Sequence, residues 1–272
     1  LNQVETSVAQ MLEHSFLDNA PIFTVSNTDG SGIDALTQCL WETAAQLKEK
    51  SSGQYFRLAI DRCFSIKGAG CIVTGSVIAG SATKDQSLVI SPSGNEARVR
   101  SLRVQDQDTD SAQTGDRCAL NIAGADISVA QIQRGDWIID GNLHQPTSRI
   151  DVWVTLLTDQ ANNRPVHFHH GSQHLQARLT ALDGKAFRAG NPKLAQLVLH
   201  QDIHALSRDY FILRDDSASN TVGGGYIVDP FAPAHGRRTQ KRIDRLKALM
   251  NTDLKQRYQA LLNLNTFGLN IS

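Results

Sequence analysis

The chain has 272 residues, which suit one large domain or two to three small ones, and its formal net charge is zero. A neutral chain has no overall electrostatic attraction to nucleic acid or membranes, so any RNA contact must come from a local basic patch. The four cysteines lack zinc-site spacing and suit a reducing cytoplasm, and no apolar run approaches the roughly 20 residues of a membrane span.

The first 52 residues have the pattern of the C-terminal tail of an α/β domain. Apolar residues recur at helical spacing near the start, residues 21–25 (PIFTV) indicate a short buried strand, and a helix is predicted over residues 35–48. The turn-rich loop between them contains Ser26, Asn27 and Thr28. By itself, such a loop is typical of an ordinary helix cap.

A β-hairpin is predicted from the stretch YFRLAIDRCFSIKGAGCIVTG, residues 55–75, where two alternating runs flank the turn 67–70. One parity of the first run is apolar and is expected to face a core: Phe56, Leu58, Ile60, Phe64 and Ile66. Arg62 shares that parity, so its guanidinium needs a partner or a cavity. Asp61 points to the opposite face unless a bulge intervenes. A structural ion pair at a strand end is the simpler interpretation.

Short alternating runs separated by turn residues continue from residue 77 to residue 139, a spacing typical of a closed antiparallel barrel. A second β-rich block, 149–228, indicates a second barrel. Its glycine run 223–225 suggests a turn, and residues 230–236 a linker. The expected domains are therefore 1–52, a barrel over 53–145, a barrel over 146–232, and a linker with the start of a helical domain over 233–272.

A basic helix start and a histidine cluster are the remaining candidate features. Arg237, Arg238, Lys241 and Arg242 belong either to a solvated helix face or to a surface that contacts RNA phosphates. Four histidines lie on one predicted strand and its neighbour: His167, His169, His170 and His174. Histidine is a common metal ligand, so a metal-binding role is one alternative for them. No carboxylate or cysteine joins them at ligand spacing, so no metal site is predicted.

The run IDRCFSIKGAGCIVTG (60–75) resembles the opening hairpin of the second domain of translation GTPases, most closely that of selenocysteine-specific elongation factors. QTGDRCALNIAG (113–124) and RGD (134–136) resemble further motifs of that domain. The resemblance implies a mainly β fold with two consecutive elongation factor Tu-like antiparallel barrels. An α/β tail of a GTP-binding domain would precede them, and the helical start of a winged-helix domain would follow.

The same resemblance implies a binding pocket for the selenocysteyl end of a tRNA, with Asp61, Arg62 and Arg117 as its residues. A selenol is ionised at neutral pH whereas a Ser hydroxyl is not, so two guanidiniums would favour the selenolate and Asp61 would suit the α-amino group. For Arg117, a solvated strand residue is the simpler interpretation. Ser26, Asn27 and Thr28 resemble the loop whose backbone contacts guanine.

The sequence contains no G-x-x-x-x-G-K-S/T, N-K-x-D or D-x-x-G after a buried strand, so this chain is not expected to hydrolyse GTP and has no predicted catalytic residue. It resembles a piece of a longer cytoplasmic protein that uses GTP and Mg²⁺. The implied partners are selenocysteyl-tRNA, the ribosome and, through modules outside this sequence, a selenoprotein mRNA hairpin, with a monomeric state and no membrane contact. The alternatives are a general aminoacyl- or initiator-tRNA carrier and a β-barrel interaction module.

Overall fold

The computed structural model describes residues 2–12, 17, 20–46, 55–68 and 70–264, and the chain divides into two compact units, Leu1–Ser51 and Ser52–Ser272. The predicted end of the second helix at residues 47–48, the predicted boundary at 52/53, the turn residue Ala69 and the segment after residue 264 lie outside the described residues.

The first unit consists of two helices, α1 (Asn2–Leu12) and α2 (Ile33–Gln46), joined by an extended segment and a turn. The predicted buried strand over residues 21–25 is wrong: the segment is extended but carries no strand assignment, and Ile22 and Val25 are exposed. A strand needs a neighbour to pair with. The described part of this unit contains no other strand that could take that role.

The second unit begins with a barrel. Its strands are β1 (Arg57–Ile66), β2 (Gly70–Ala79), β3 (Ser81–Thr83), β4 (Ser87–Ser91), β5 (Asn95–Val104), β6 (Gln107–Thr109), β7 (Ser111–Gln113), β8 (Arg117–Ala123) and β9 (Trp137–Ile139). Six strands lie in the order β4-β9-β1-β2-β8-β5, and the ring closes because β5 also pairs with β4. β6 pairs with the other end of β5, and β3 and β7 form a separate two-stranded sheet. Alternate residues of these strands fill the interior, which gives a continuous apolar core.

A second barrel follows, with strands β10 (Thr147–Leu156), β11 (Arg164–His170), β12 (Gln173–Ala181), β13 (Lys193–Ile203), β14 (Tyr210–Arg214) and β15 (Thr221–Asp229). A turn of 3-10 helix at Gly141–Leu143 precedes it. The six strands close in the order β10-β13-β12-β11-β14-β15. The two predicted barrels are thereby confirmed, with closed rings spanning residues 57–139 and 147–229, whereas the domain boundaries stay predictions.

The glycine run of the second barrel lies inside β15, so the predicted turn at these residues is wrong. A Cβ on Gly225 would lie 1.9 Å from the carbonyl oxygen of Trp153, and one on Gly223 would lie 2.3 Å from that of Thr155. Glycine is therefore used here for the close approach of β15 to β10, not for a reversal of the chain.

Two helices complete the described chain, α3 (Gln240–Met250) and α4 (Leu254–Asn263). Thr239 caps α3 by accepting a hydrogen bond from the Arg242 backbone N–H, and Asp253 caps α4 in the same way. None of the helices in the described ranges is both long and apolar enough to cross a bilayer.

Candidate functional site

A β-bulge at Asp61 shapes the outer face of the first barrel. Ile60 pairs with Gly75 and Arg62 with Thr74, so Asp61 is an extra residue in β1. After the bulge the parity inverts: Phe64 and Ile66, predicted to face the core, are 39% and 49% exposed. That prediction is wrong because strict alternation cannot register an inserted residue.

Arg62 follows the same inversion. Its side chain lies on the outer face, exposed, and not on the core face where the uninterrupted alternation would put it. Among the ion pairs of the described residues, none includes Arg62. The bulge thus places an exposed guanidinium near Asp61, close enough for its charge to help lower the Asp61 pKa but outside the described ion pairs.

The carboxylate of Asp61 is the centre of a hydrogen-bonded cluster. Its Oδ1 accepts from Thr74 Oγ1 at 2.7 Å, and its two oxygens accept from Arg117 Nη1 and Nη2 at 2.5 and 3.4 Å. Burial raises the pKa of Asp61, but the bond from Thr74 and the charge and bonds of Arg117 outweigh it and hold the pKa below its usual value. Asp61 is therefore a fixed anion at neutral pH.

A cavity of about 440 Å³ opens beside this cluster on the outer face of the barrel. Phe64, Ile66 and Ile72 give it an apolar wall, while Arg103, which pairs with Asp108, and Arg117, which pairs with Asp61, line its polar side. The arrangement suits a ligand with an apolar or aromatic part and an anionic part. Asp61, Arg62 and Arg117 were predicted from the sequence, whereas the apolar wall and Thr74 were not. Thr74 pairs with Arg62 across β1 and β2, so knowledge of the bulge would have been enough to predict Thr74 as a member of the site.

In the first unit, the predicted guanine loop forms a compact turn. The Ser26 N–H donates to the Ser31 carbonyl at 3.0 Å, and the Thr28 N–H donates to Ser26 Oγ at 3.3 Å. Asn27 lies within this turn, which leads directly into α2. The geometry is that of a turn with internal hydrogen bonds that follows an extended segment and leads into a helix, and its contact with guanine stays a prediction.

The basic start of α3 divides into inward and outward residues. Arg242 donates to Asp151 through Nε at 2.9 Å and to Asp229 through Nη1 at 2.8 Å, and its side chain is largely buried. Arg237 is half-buried and donates to the Gln196 side chain. Both alternatives for these four residues, a solvated helix face and a surface that contacts RNA phosphates, need exposed side chains. Arg242 fits neither, because the barrel supplies buried carboxylates that a sequence pattern does not reveal. Arg238 and Lys241 remain exposed.

The seam between the barrels contains a buried ion pair that sequence analysis missed. Arg57 in β1 donates to both carboxylate oxygens of Asp209 at 3.0 and 2.7 Å, and through Nε to His204 Nε2 at 3.0 Å. Its guanidinium also lies 4.7 Å from the ring centroid of Trp137. His170 Nε2 lies 3.1 Å from Asp209 Oδ2.

These contacts explain two pKa shifts. Burial and, next, the nearby Arg57 charge lower the pKa of His204 to about 3, so the ring is neutral and accepts the hydrogen bond from Arg57. Burial alone would raise the pKa of Asp209, but His170 and Arg57 hold it far below its usual value. The seam is therefore a charged, hydrogen-bonded joint between two closed cores.

The other three histidines of the predicted cluster, His167, His169 and His174, lie outside this seam. His167 and His169 are on the outward parity of β11, and His169 stacks on His174 with ring centroids 5.8 Å apart. Burial, together with His174, Arg214 and His167, lowers the pKa of His169. No group of three or more His, Cys, Asp or Glu side chains in the described ranges is placed to hold a metal ion.

Comparisons with known proteins agree with this architecture. The family model described as elongation factor Tu domain 2 matches residues 70–139, and that described as selenocysteine-specific elongation factor, beta-barrel domain, matches residues 147–234. The selenocysteine-specific elongation factor of Escherichia coli K12 is 34% identical over 92% of this chain, and that of Desulfomicrobium baculatum is 32% identical over 92%.

The chain spans 39% of the length of both relatives. The crystal structure of a bacterial selenocysteine-specific elongation factor, EF-Sec, has a TM-score of 0.79 at 19% identity, covering 97% of this chain and 42% of that one. This structural likeness supports the fold, and the sequence identities support the family. The chain therefore belongs to the selenocysteine-specific elongation factors.

Proposed function

We propose that this chain binds the acceptor end of selenocysteyl-tRNA on the outer face of the first barrel, for selenocysteine incorporation at recoded UGA codons. The observation that carries the proposal is the Asp61 cluster: a fixed carboxylate and an unpaired guanidinium, next to a cavity with an apolar wall. This combination suits an amino-acid ester with a cationic amine and an anionic side chain.

The two charges have separate tasks. The carboxylate of Asp61 would accept a hydrogen bond from the α-amino group of the ester. Arg117 is already bonded to Asp61, so Arg62 is the cation that remains available for the selenolate. A neutral seryl hydroxyl would gain no charge-assisted contact from Arg62, which gives the site a reason to prefer selenocysteine.

The terminal nucleoside of the tRNA would lie against the apolar wall of Phe64, Ile66 and Ile72, with Arg103 near its phosphate. Apolar and aromatic side chains bind nucleobases with little regard to sequence, and arginine binds phosphate. The second barrel is held to the first by the Arg57–Asp209 pair, so it would support the same tRNA further along the helix.

Coupling to GTP and Mg²⁺ would occur in the complete protein. The turn at Ser26, Asn27 and Thr28 fits the guanine end of such a site, whereas neither G-x-x-x-x-G-K-S/T, which binds phosphate and Mg²⁺, nor N-K-x-D occurs in this sequence. The complete factor would act as a cytoplasmic monomer on the ribosome, with modules beyond this sequence contacting the selenoprotein mRNA hairpin.

The test compares selenocysteyl-tRNA and seryl-tRNA in a deacylation-protection assay with the Arg62→Gln variant. Losing one partly exposed charge-assisted contact is expected to weaken protection of selenocysteyl-tRNA about five- to tenfold and to leave seryl-tRNA unchanged. Arg98→Gln is the matched control, because Arg98 is an exposed arginine of the same barrel that pairs with Asp85.

The same assay separates the alternatives. A general aminoacyl- or initiator-tRNA carrier of the elongation factor Tu type would lose protection of both tRNAs equally, or of neither. A β-barrel interaction module with no role in translation would protect no charged tRNA at all. Either result would contradict the proposed selenolate pocket.

A further inference from the structure

Helix α3 is fixed to the second barrel at both of its ends. Near its start, Arg242 pairs with the buried carboxylates of Asp151 and Asp229. At its end, the guanidinium of Arg208 donates to the carbonyl oxygens of Met250 and Asn251 at 3.2 and 2.9 Å. Leucine side chains of the helix and barrel pack between these two anchors. The helix is therefore part of the barrel's surface and not a loose connection.

The docked helix forms one wall of a cavity of about 500 Å³. Barrel residues Trp153, Pro192 and Leu194 line it on one side, and Ile243 of α3 lines it on the other. Arg238, just before α3, also lines it, and so does Lys193. The volume falls within the range of small-molecule binding pockets. The cavity exists only because α3 is docked, and it lies on the second barrel, away from the Asp61 cluster.

The net charge at this cavity is positive, because Arg238 and Lys193 line it together with one carboxylate, that of Asp183. Lys193 donates to Asp183 at 2.9 Å and to the Ala186 carbonyl at 3.0 Å, and its side chain is only 18% exposed, so its charge is largely balanced. Arg238 is exposed and makes only a long hydrogen bond of 3.4 Å to the Ala181 carbonyl, with no carboxylate partner among the described ion pairs. One guanidinium at the edge of the cavity is thus available to an anion.

We propose that this cavity binds an unpaired ribonucleotide, with the base against the indole of Trp153 and its phosphate on Arg238. Trp153 is partly buried, and its ring lines the cavity together with Arg238. An aromatic ring that faces a cavity beside an arginine is a combination by which proteins bind single-stranded nucleic acid, because every base can stack on the ring and every phosphate carries a negative charge. The inference rests on the contacts between α3 and the second barrel. It does not depend on the proposed acceptor-end site.

The test uses the full chain labelled with 5-fluorotryptophan, which gives three ¹⁹F resonances, from Trp41, Trp137 and Trp153. The probe is single-stranded octauridylate, with uridine monophosphate in a parallel titration. The Trp153 resonance is expected to shift saturably, while that of the buried Trp137 stays fixed and reports an intact fold. Saturation by the mononucleotide in the same concentration range would identify a free nucleotide as the ligand, and a response to the octamer alone would identify RNA.

Two charge variants make the test specific. Arg238→Gln is expected to raise the midpoint of the octauridylate titration about fivefold, whereas Lys247→Gln, an exposed charge loss on the same helix, should change it less than about twofold. Equal weakening by both variants, or a Trp153 resonance that octauridylate does not move, would overturn the proposal. Arg62→Gln should leave this titration unchanged, which separates its outcome from that of the acceptor-end site.

Discussion

The buried ion pair between the barrels gives a prediction whose size follows from the structure. Asp209→Asn keeps the shape of the side chain but removes the charge that Arg57 contacts at 3.0 and 2.7 Å. The two side chains are 6% and 14% exposed, so the guanidinium would stay buried with no anionic partner at position 209, next to a neutral amide, His204 and the Trp137 ring. Breaking one side of such a pair costs about 3–5 kcal/mol.

The assay is urea unfolding of the full chain followed by circular dichroism, with the free energy of unfolding compared between wild type and variant. Asp85→Asn is the control, because Asp85 pairs with Arg98 on the surface, where solvent screens the pair, and we expect no measurable change. A loss below about 1 kcal/mol in Asp209→Asn would refute the reasoning, because it would mean that solvent reaches Arg57 or that the barrels separate at little cost.

Three further predictions test other parts of the structure. His204 has its pKa lowered from 6.5 to about 3 by burial and by a neighbouring arginine, so its contribution to stability is present above pH 6.5 and is lost as the pH falls. Between pH 7 and pH 5 the free energy of unfolding, measured in urea, should fall by about 2 kcal/mol more in wild type than in His204→Gln. Parallel pH curves for the two proteins would contradict this. Arg242→Met leaves the buried carboxylate of Asp151 without a cation and leaves Asp229 with only the longer 3.9 Å contact to Arg245, so it should speed hydrogen exchange throughout α3, whereas Lys241→Met should not. Equal exchange in both variants would show that the Arg242 pairs do not anchor the helix. Thr74→Val removes a donor to Asp61 and should raise its pKa in an NMR titration of the carboxyl carbon, and an unchanged pKa would assign the shift to other groups.

Alternation was enough to predict the barrels, because each strand buries one face and exposes the other over most of its length. The prediction broke down at one inserted residue. Asp61 shifts the register of β1, so the side chains of Arg62, Phe64 and Ile66 lie on the face opposite to the expected one. A bulge depends on how the partner strand pairs, and that information is not local in the sequence.

Long-range pairing explains the other differences. Arg242 looked like a residue of a solvated basic helix, yet its partner Asp151 is 91 residues away in the chain. Arg57 and Asp209 are 152 residues apart, and neither stands out from its neighbours. The candidate pocket itself was accessible from sequence through family resemblance. Its apolar wall and the bond from Thr74 to Asp61 required the three-dimensional register.

The most direct measurement is the protection of selenocysteyl-tRNA from deacylation by the unmodified chain, compared with seryl-tRNA carrying the same tRNA body. Since the tRNA is identical, any difference comes from the amino-acid side chain at the Asp61 cluster. We predict slower hydrolysis of the selenocysteyl ester at protein concentrations that leave the seryl ester unprotected. Equal protection of both esters would contradict a selenolate pocket formed by Asp61, Arg62 and Arg117.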